Sequence, residues 1–92
     1  MAESRVTRDF WKRFDALPDD VQNRARAAYA LWLDDDRHPS LHFKRISDRQ
    51  PIWSARVGIH HRALASWERD APVWWFWIGT HAEYDALVKR HA

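Results

Sequence analysis

The sequence contains no cysteine, so disulfide bonds and zinc sites with thiolate ligands are excluded. It also lacks a membrane-spanning stretch, because the run of large apolar residues at Val73–Ile78 is too short to cross a bilayer. The beginning of the chain, Met1–Arg5, leads into charged sequence without the apolar region of a secretory signal. We therefore expect a cytoplasmic protein with no membrane partner.

Internal repeats, low-complexity tracts and interdomain linkers are missing as well. The 92 residues are 46% hydrophobic and 30% charged, which is an ordinary globular balance. A chain of this length has enough material for one hydrophobic core. We expect residues 1–92 to form a single domain.

Positive charge is concentrated in the middle of the chain, although the net charge is only +2. One acid, Asp48, accompanies five basic residues between positions 41 and 62: Lys44, Arg45, Arg49, Arg56 and Arg62. His42, His60 and His61 lie in the same window and add charge near neutral pH. This zone indicates either an anionic partner such as nucleic acid or simply a solvated sheet face.

The hydrophobic pattern predicts an α+β fold. Apolar residues recur at helical spacing over residues 7–16, and a second helix is predicted to start at Pro18. Alternation and turn residues then predict four strands and a last helix, with short connections that favour an antiparallel sheet. The predicted strands are Leu41–Lys44, Ile52–Val57, Arg62–Trp67 and Val73–Ile78, and the last helix is His81–Arg90. The predicted architecture is a small antiparallel sheet with an N-terminal helical hairpin and a C-terminal helix.

The most informative stretch lies near the C-terminus. The run Val73–Ile78 predicts a central strand buried on both faces. Thr80 and Glu83 after it have the spacing of a helix capping box. His81 and Tyr84 would then lie on one face of the first helical turn, where free backbone N–H groups favour an anion such as phosphate.

Seven tryptophans are many for a chain of this size. They are interpreted either as stacking platforms for nucleic-acid bases or as parts of an aromatic core. The strand pattern favours a core role for Trp53, Trp74, Trp75 and Trp77. Trp11 and Trp67 are the stronger candidates for exposed rings.

Strand alternation groups polar side chains on one sheet face. Arg56 and Arg62 are candidate phosphate ligands, because guanidinium groups bind phosphate in bidentate fashion. His81 is the candidate acid or base, and Tyr84 a stacking or proton-sharing partner. Further candidate contacts to phosphate or RNA are Ser54, Lys44, Arg45, His60 and His61. The competing interpretations are that His81 merely starts a helix and that His60 and His61 form an exposed hairpin tip.

No metal or cofactor is expected. The six histidines include no HExxH motif of zinc enzymes. The three carboxylates Asp34–Asp36 lack the alternating spacing and the glycine of a calcium loop, so they indicate a turn.

Several of these motifs, taken in order, resemble the RelE/ParE toxin superfamily, the toxins of type II toxin–antitoxin modules. The likeness covers about residues 8–90. Its motifs are Leu17-Pro18, Pro39–Lys44, Trp53–Gly58, His61–Leu64 and Trp75–Tyr84. The superfamily's N-terminal strand is not recognisable in this sequence.

The resemblance implies a metal-independent endoribonuclease that cleaves mRNA, often on the ribosome, and a cognate antitoxin that restrains it. It places Arg56 and Arg62 at basic strand positions and His81 and Tyr84 in the C-terminal active region. An alternative within the superfamily is inhibition of DNA gyrase. Ser54 and Ala55 stand where RelE itself has lysines, and His61 replaces a common tyrosine. A third possibility is therefore an inactive toxin fold that only binds its partner.

Overall fold

A computed structural model describes residues 3–91, and within them five strands and three helices follow one another along the chain. The elements are β1 (Ser4–Val6), α1 (Arg8–Asp15), α2 (Asp19–Asp34), β2 (Lys44–Arg45), β3 (Ile52–Val57), β4 (His61–Ser66), β5 (Val73–Thr80) and α3 (His81–His91), with a 3-10 turn at Pro39–Leu41. The strands form one sheet in the order β1-β5-β4-β3-β2. The α+β class, the helical pair and the C-terminal helix are confirmed.

The sheet has an N-terminal strand that the sequence analysis did not recognise. β1 runs parallel to β5, with Ser4 opposite Val73 and Val6 opposite Trp75, so the sheet is not purely antiparallel. The backbone N–H of Val73 donates to the carbonyl of Glu3 over 2.7 Å. Three residues are too few to show alternation, and this strand exists because its backbone pairs with β5.

The predicted strand Leu41–Lys44 is wrong in its first half. The chain forms a turn at Pro39–Leu41, which begins where the His38 ring accepts a hydrogen bond from the Ser40 backbone. His42 then adopts a left-handed conformation with φ of 45°, which no strand accommodates. Only Lys44 and Arg45 pair with β3.

The two N-terminal helices pack on the same side of the sheet but over different strands. Thr7 caps α1 by accepting a hydrogen bond from the Phe10 backbone N–H at 3.2 Å. α1 lies along β5, whereas α2 lies over β3. The Gln22 side chain donates to the carbonyls of Phe14 and Leu17, both at 3.1 Å, and so fixes the turn between the helices.

The core lies between these helices and one face of the sheet. We call this face the helix-packed face; its strand residues are Ala55, Val57, Ala63, Ala65, Trp75 and Ile78, all buried. Trp32 of α2 is only 1% exposed and packs edge-to-face on Trp75. Burial of such apolar surface supplies most of the driving force for folding.

The tryptophan predictions are partly confirmed. Trp75 and Trp77 are buried as expected, and Trp11 is exposed. Trp53 and Trp67 are half-buried and stack around Phe43. Trp74 was predicted in the core but is 42% exposed, because its side chain points away from the helices.

A β-bulge in β5 changes which side chains face the helices. Ala65 pairs with Trp75 and Leu64 with Trp77, so Phe76 is the extra residue. Trp75 therefore faces the helices and so does Ile78, whose partner is Ala63. The bulge places Trp77 and Gly79 on the face opposite the helices. The consecutive residues Trp77, Ile78 and Gly79 are all buried, so this part of β5 is covered on both faces.

Candidate functional site

Two arginines lie opposite each other on the face that the N-terminal helices leave uncovered. Arg56 of β3 pairs with Arg62 of β4, and Arg62 in turn pairs with Gly79 of β5. Ser54 and Leu64 form the next cross-strand pair on the same side. We call the face that carries Ser54, Arg56, Arg62, Leu64 and Gly79 the arginine face.

The positive charge of the arginine pair is not neutralised within residues 3–91. No acidic side chain forms a salt bridge with Arg56 or Arg62 in that part of the chain. Arg56 Nε donates to the carbonyl of Gly58 at 3.1 Å. Arg62 Nε is buried and has no hydrogen-bond partner among the described residues. Like charges directly opposite each other in a sheet are destabilising, and an anion bound between them removes that penalty.

The last helix begins at the arginine face through the predicted capping box. The Thr80 backbone N–H donates to Glu83 Oε1 at 2.9 Å, and the Glu83 N–H donates to Thr80 Oγ1 at 3.1 Å. The hydrogen bonds from Thr80 lower the pKa of the Glu83 carboxyl below its ordinary value. The predicted capping box is confirmed, and the Glu83 carboxylate is engaged in it.

α3 brings Tyr84 over Arg62. The guanidinium carbon of Arg62 lies 5.4 Å from the centre of the Tyr84 ring, a cation–π contact. The hydroxyl of the same tyrosine donates to Ser54 Oγ at 3.5 Å. Tyr84 of α3 thus covers Arg62 on the arginine face, at the position that the spacing of the capping box predicts.

His81 stands beside this pair at the exposed start of α3. Its ring centre is 6.0 Å from that of Tyr84, and its backbone N–H donates to the carbonyl of His60 at 2.6 Å. Its Nδ1 lies 3.0 Å from Asp85 Oδ2, one helical turn further on. A neutral ring that donates Nδ1–H to Asp85 has its Nε2 lone pair available.

Asp85 is the residue of this cluster that the sequence analysis missed. It follows His81 at the i, i+4 spacing that brings two side chains together on one helix face. That spacing was available in the sequence as a signal.

Gly79 allows a close approach at the centre of the site. A Cβ atom at this position would lie 2.7 Å from two carbon atoms of the Trp77 ring and 3.0 Å from Glu83 Oε1. The Trp77 ring therefore lies across the glycine, next to Arg62 on the neighbouring strand. Arg13 of α1 stacks on this ring, with its guanidinium carbon 5.6 Å from the ring centre.

The remaining predicted contacts fall on different sides of the sheet. Lys44 pairs with Ser54 and therefore lies on the arginine face. His60 is exposed in the turn before β4, next to His81. Arg45 pairs with Trp53 and points to the other side, where it donates to the Ser47 carbonyl at 2.8 Å. The structure does not bring Arg45 into the cluster.

His61 also lies outside the cluster. It was predicted in the hairpin turn but begins β4, opposite Val57 and Thr80 on the helix-packed side. Burial lowers the pKa of its imidazole, and the charges of His60 and Arg24 lower this pKa further. Both effects favour the neutral form of the His61 imidazole.

Within the described residues, no three acidic or histidine side chains lie close enough together to hold a metal ion. His38 and His42 have a spacing of four in sequence, but a 3-10 turn rather than an α-helix separates them. Nor is any of the described helices long and apolar enough to cross a membrane.

The fold is shared with solved structures of other proteins, two of which are described here. One is the RelB–RelE antitoxin–toxin complex from Methanococcus jannaschii, with a TM-score of 0.67, 16% identity, and coverage of 88% of this chain and 95% of that chain. The other is a copper-bound L66S mutant toxin from Helicobacter pylori, with a TM-score of 0.61, 17% identity, and coverage of 90% and 98%. At these identities the likeness concerns the fold alone.

A family model for the ParE-like toxin domain matches residues 19–86, which include the arginine pair, Tyr84 and His81. The chain therefore belongs to the family of ParE-like toxin domains, and the predicted superfamily is confirmed. None of the curated proteins matches the chain.

Proposed function

We propose that this protein is the toxin of a type II toxin–antitoxin module and that it cleaves mRNA by means of its own side chains. The observation that carries the proposal is the cross-strand pair Arg56–Arg62, which forms no salt bridge in the described residues and whose Arg62 is covered by Tyr84. An enzyme that cleaves a phosphodiester needs positive charge fixed where the transition state becomes more negative. The family supports the toxin assignment.

In the proposed reaction the ribose 2′-oxygen attacks the adjacent phosphorus as its proton is removed, and the bond to the 5′-oxygen breaks as that oxygen gains a proton. Arg56 and Arg62 hold the phosphoryl oxygens. His81 Nε2 serves one of the two proton transfers, and Asp85 fixes the imidazole through Nδ1. Tyr84 orients Arg62 and offers its ring to a base.

The RNA path is proposed along the arginine face. Lys44, Ser54 and His60 lie on the side of the arginines and His81 and are retained as contacts to phosphate or RNA. Arg45 and His61 are left out of the proposal, because both point to the opposite side of the sheet.

A cognate antitoxin is the proposed protein partner. One structural neighbour was solved as an antitoxin–toxin complex, and the unneutralised arginines of this chain suit acidic residues of such a partner. We propose that the toxin acts on mRNA in the cytoplasm, on the ribosome or free of it.

The test is primer extension on cellular mRNA after brief induction of the protein. New cuts should appear with the wild type and become roughly 10²–10⁴-fold rarer with His81→Ala, the range expected for loss of a general acid or base. Arg62→Ala should lower cleavage about 10²–10³-fold. Matched controls are Arg49→Ala and His42→Asn, which alter exposed residues away from the cluster. Undiminished cutting by both site variants would refute the assigned site.

Inhibition of DNA gyrase is the second candidate, and the match to the ParE-like family favours it. It predicts growth arrest with DNA-damage signalling and intact messages, and no dependence on His81. An inactive toxin fold that only binds its partner predicts no growth arrest at all. Primer extension and growth after induction, measured together, separate all three.

A further inference from the structure

The outer edge of β5 is only partly covered by a strand. β1 pairs with Val73–Trp75, so within residues 3–91 no strand lies beside Phe76–Thr80 on that edge. α1 runs along β5 instead, and a long side chain of α1 can pass the edge to the arginine face. Arg13, in the last turn of α1, does this and lies with its guanidinium carbon 5.6 Å from the centre of the Trp77 ring. This cation–π contact links α1 to the face that it does not cover.

Trp77 is buried by its neighbours on the arginine face rather than by the core. It is 7% exposed, yet it is not part of the apolar cluster between the helices and the sheet. The outer edge of its ring lies against the backbone of Gly79, where a Cβ atom would be 2.7 Å from two ring carbons. The same Cβ atom would be 3.0 Å from Glu83 Oε1, so the ring and this carboxylate meet over the glycine. A shift of the Trp77 ring therefore changes the space that Glu83 occupies.

Glu83 fixes the start of α3. Its carboxylate accepts a hydrogen bond from the Thr80 N–H at 2.9 Å, and its own N–H donates to Thr80 Oγ1 at 3.1 Å. His81 and Tyr84 belong to the same helical turn, so their positions depend on this capping box. Beyond this turn α3 is attached lightly, because two of the six residues at 85–90 are half-buried and the others are exposed.

The charge of Arg13 acts on Glu83 as well. The hydrogen bonds from Thr80 are the main cause of the lowered pKa of the Glu83 carboxyl, and the charge of Arg13 lowers this pKa further. A neighbouring positive charge favours the ionised carboxylate, which is the form that accepts the hydrogen bond of the capping box. Arg13 is thus connected to α3 in two ways, by its contact with Trp77 and by its charge.

We propose that Arg13 is a positioning residue for the reaction on the arginine face. By stacking on Trp77 it holds this ring against the capping box, and so fixes the helical turn that carries His81 and Tyr84. Reaction rates fall steeply when catalytic groups are displaced by about 1 Å, so a residue outside the site controls the rate through such contacts. The inference rests on the proposed function and deepens it, since it adds to the same site a residue that acts without touching RNA.

The experiment compares two basic residues that are adjacent in the last turn of α1. Arg13 contacts Trp77, whereas Lys12 is exposed and stacks on no aromatic ring of the described residues. Arg13→Ala and Lys12→Ala remove the same charge from the same helix end, so the general attraction of RNA changes equally. The substrate is a transcript with a cut found by primer extension, and kcat and KM are measured separately. We expect Arg13→Ala to lower kcat about tenfold with KM within about twofold, and Lys12→Ala to keep kcat within about twofold of the wild type.

A double-mutant cycle tests whether Arg13 acts through Trp77. Trp77→Phe shortens the ring that reaches Glu83, and in this background Arg13→Ala should lower kcat by less than about threefold. Full additivity of the two changes would overturn the proposal, and so would equal kcat for Arg13→Ala and Lys12→Ala. A rise in KM with kcat unchanged would also overturn it, because that result indicates direct contact of Arg13 with RNA.

Amide hydrogen exchange tests the attachment of α3 without any RNA. In Arg13→Ala the amides at the start of α3 should exchange at least about fivefold faster relative to those of β4, and in Lys12→Ala they should not. Equal exchange in the two variants would contradict the proposal. If the wild type cleaves no message, the nuclease proposal fails, while this comparison still decides whether Arg13 fixes the start of α3.

Discussion

The two faces of the sheet come from the same strands but have opposite chemistry. On the helix-packed face Ala55, Ala63 and Ile78 form one cross-strand row, and all three are buried under α1 and α2. The residue next to each of them in its strand lies on the arginine face: Arg56, Arg62 and Gly79. Strand alternation thus gives the hydrophobic core to one face and the paired positive charges to the other.

The faces also differ in what they leave unsatisfied. On the helix-packed face the buried indole nitrogens of Trp32 and Trp75 have no hydrogen-bond partner among the described residues, but both groups are neutral. On the arginine face the buried atom without such a partner is Nε of Arg62, which is charged. A buried charge without a partner is the more costly of the two. Arg62 is therefore costly for stability, and the proposed anionic ligand would offset that cost.

The largest expected effect comes from two neighbouring tryptophans of β5 that point to opposite faces. Trp75→Ala removes a ring that packs on Trp32 and Phe43, and we expect a loss of about 3–5 kcal/mol of unfolding free energy. Trp74→Ala changes a 42% exposed side chain, and we expect a loss below about 1 kcal/mol. Urea denaturation followed by circular dichroism measures both. Similar losses for the two variants would contradict the division of roles between the faces.

Local patterns in the sequence were sufficient to predict much of the arginine face. Alternation over Ile52–Val57 separates Ala55 from Arg56, and the spacing of Thr80 and Glu83 predicts the capping box that places Tyr84. These features depend on residues within one element or one turn. For that reason a single sequence reveals them.

Features that depend on distant residues were not predictable in this way. β1 exists through pairing with β5, about seventy residues further along the chain, and the bulge at Phe76 depends on the register against β4. The bulge reverses the parity of β5, so simple alternation cannot place both Trp74 and Trp77. Alternation of Leu41 and Phe43 likewise predicted a strand where the chain instead turns at His42.

A smaller effect is expected from inorganic phosphate, which should bind between the two arginines and stabilise the folded state. At ten times its dissociation constant it should add about 1.4 kcal/mol to the wild type. Arg62→Ala should lose this gain, whereas Arg49→Ala, in the exposed turn after β2, should keep it. Thermal unfolding in phosphate against chloride of equal ionic strength measures the difference. Because phosphate also stabilises proteins in general, an equal gain in all three proteins would show that no anion binds at the arginine pair.

The smallest expected effect concerns the attachment of α3 to the arginine face. Thr80→Ala removes one half of the capping box and should cost about 1 kcal/mol at neutral pH. The pKa of Glu83 is lowered in the folded state, so its contribution is present above the ordinary value of 4.5 and is lost as the pH falls through the lowered value. Part of the lowering comes from the Thr80 side chain, so the difference between wild type and Thr80→Ala should shrink as the pH falls below 4.5. Thr7→Ala is the matched control, because Thr7 caps α1 through the Phe10 N–H and no carboxylate returns its hydrogen bond. The loss of unfolding free energy for Thr80→Ala could instead change with pH no more than the loss for Thr7→Ala. In that case the ionised Glu83 does not hold α3 in place, and the position of Tyr84 over Arg62 depends on the contacts of Tyr84 itself.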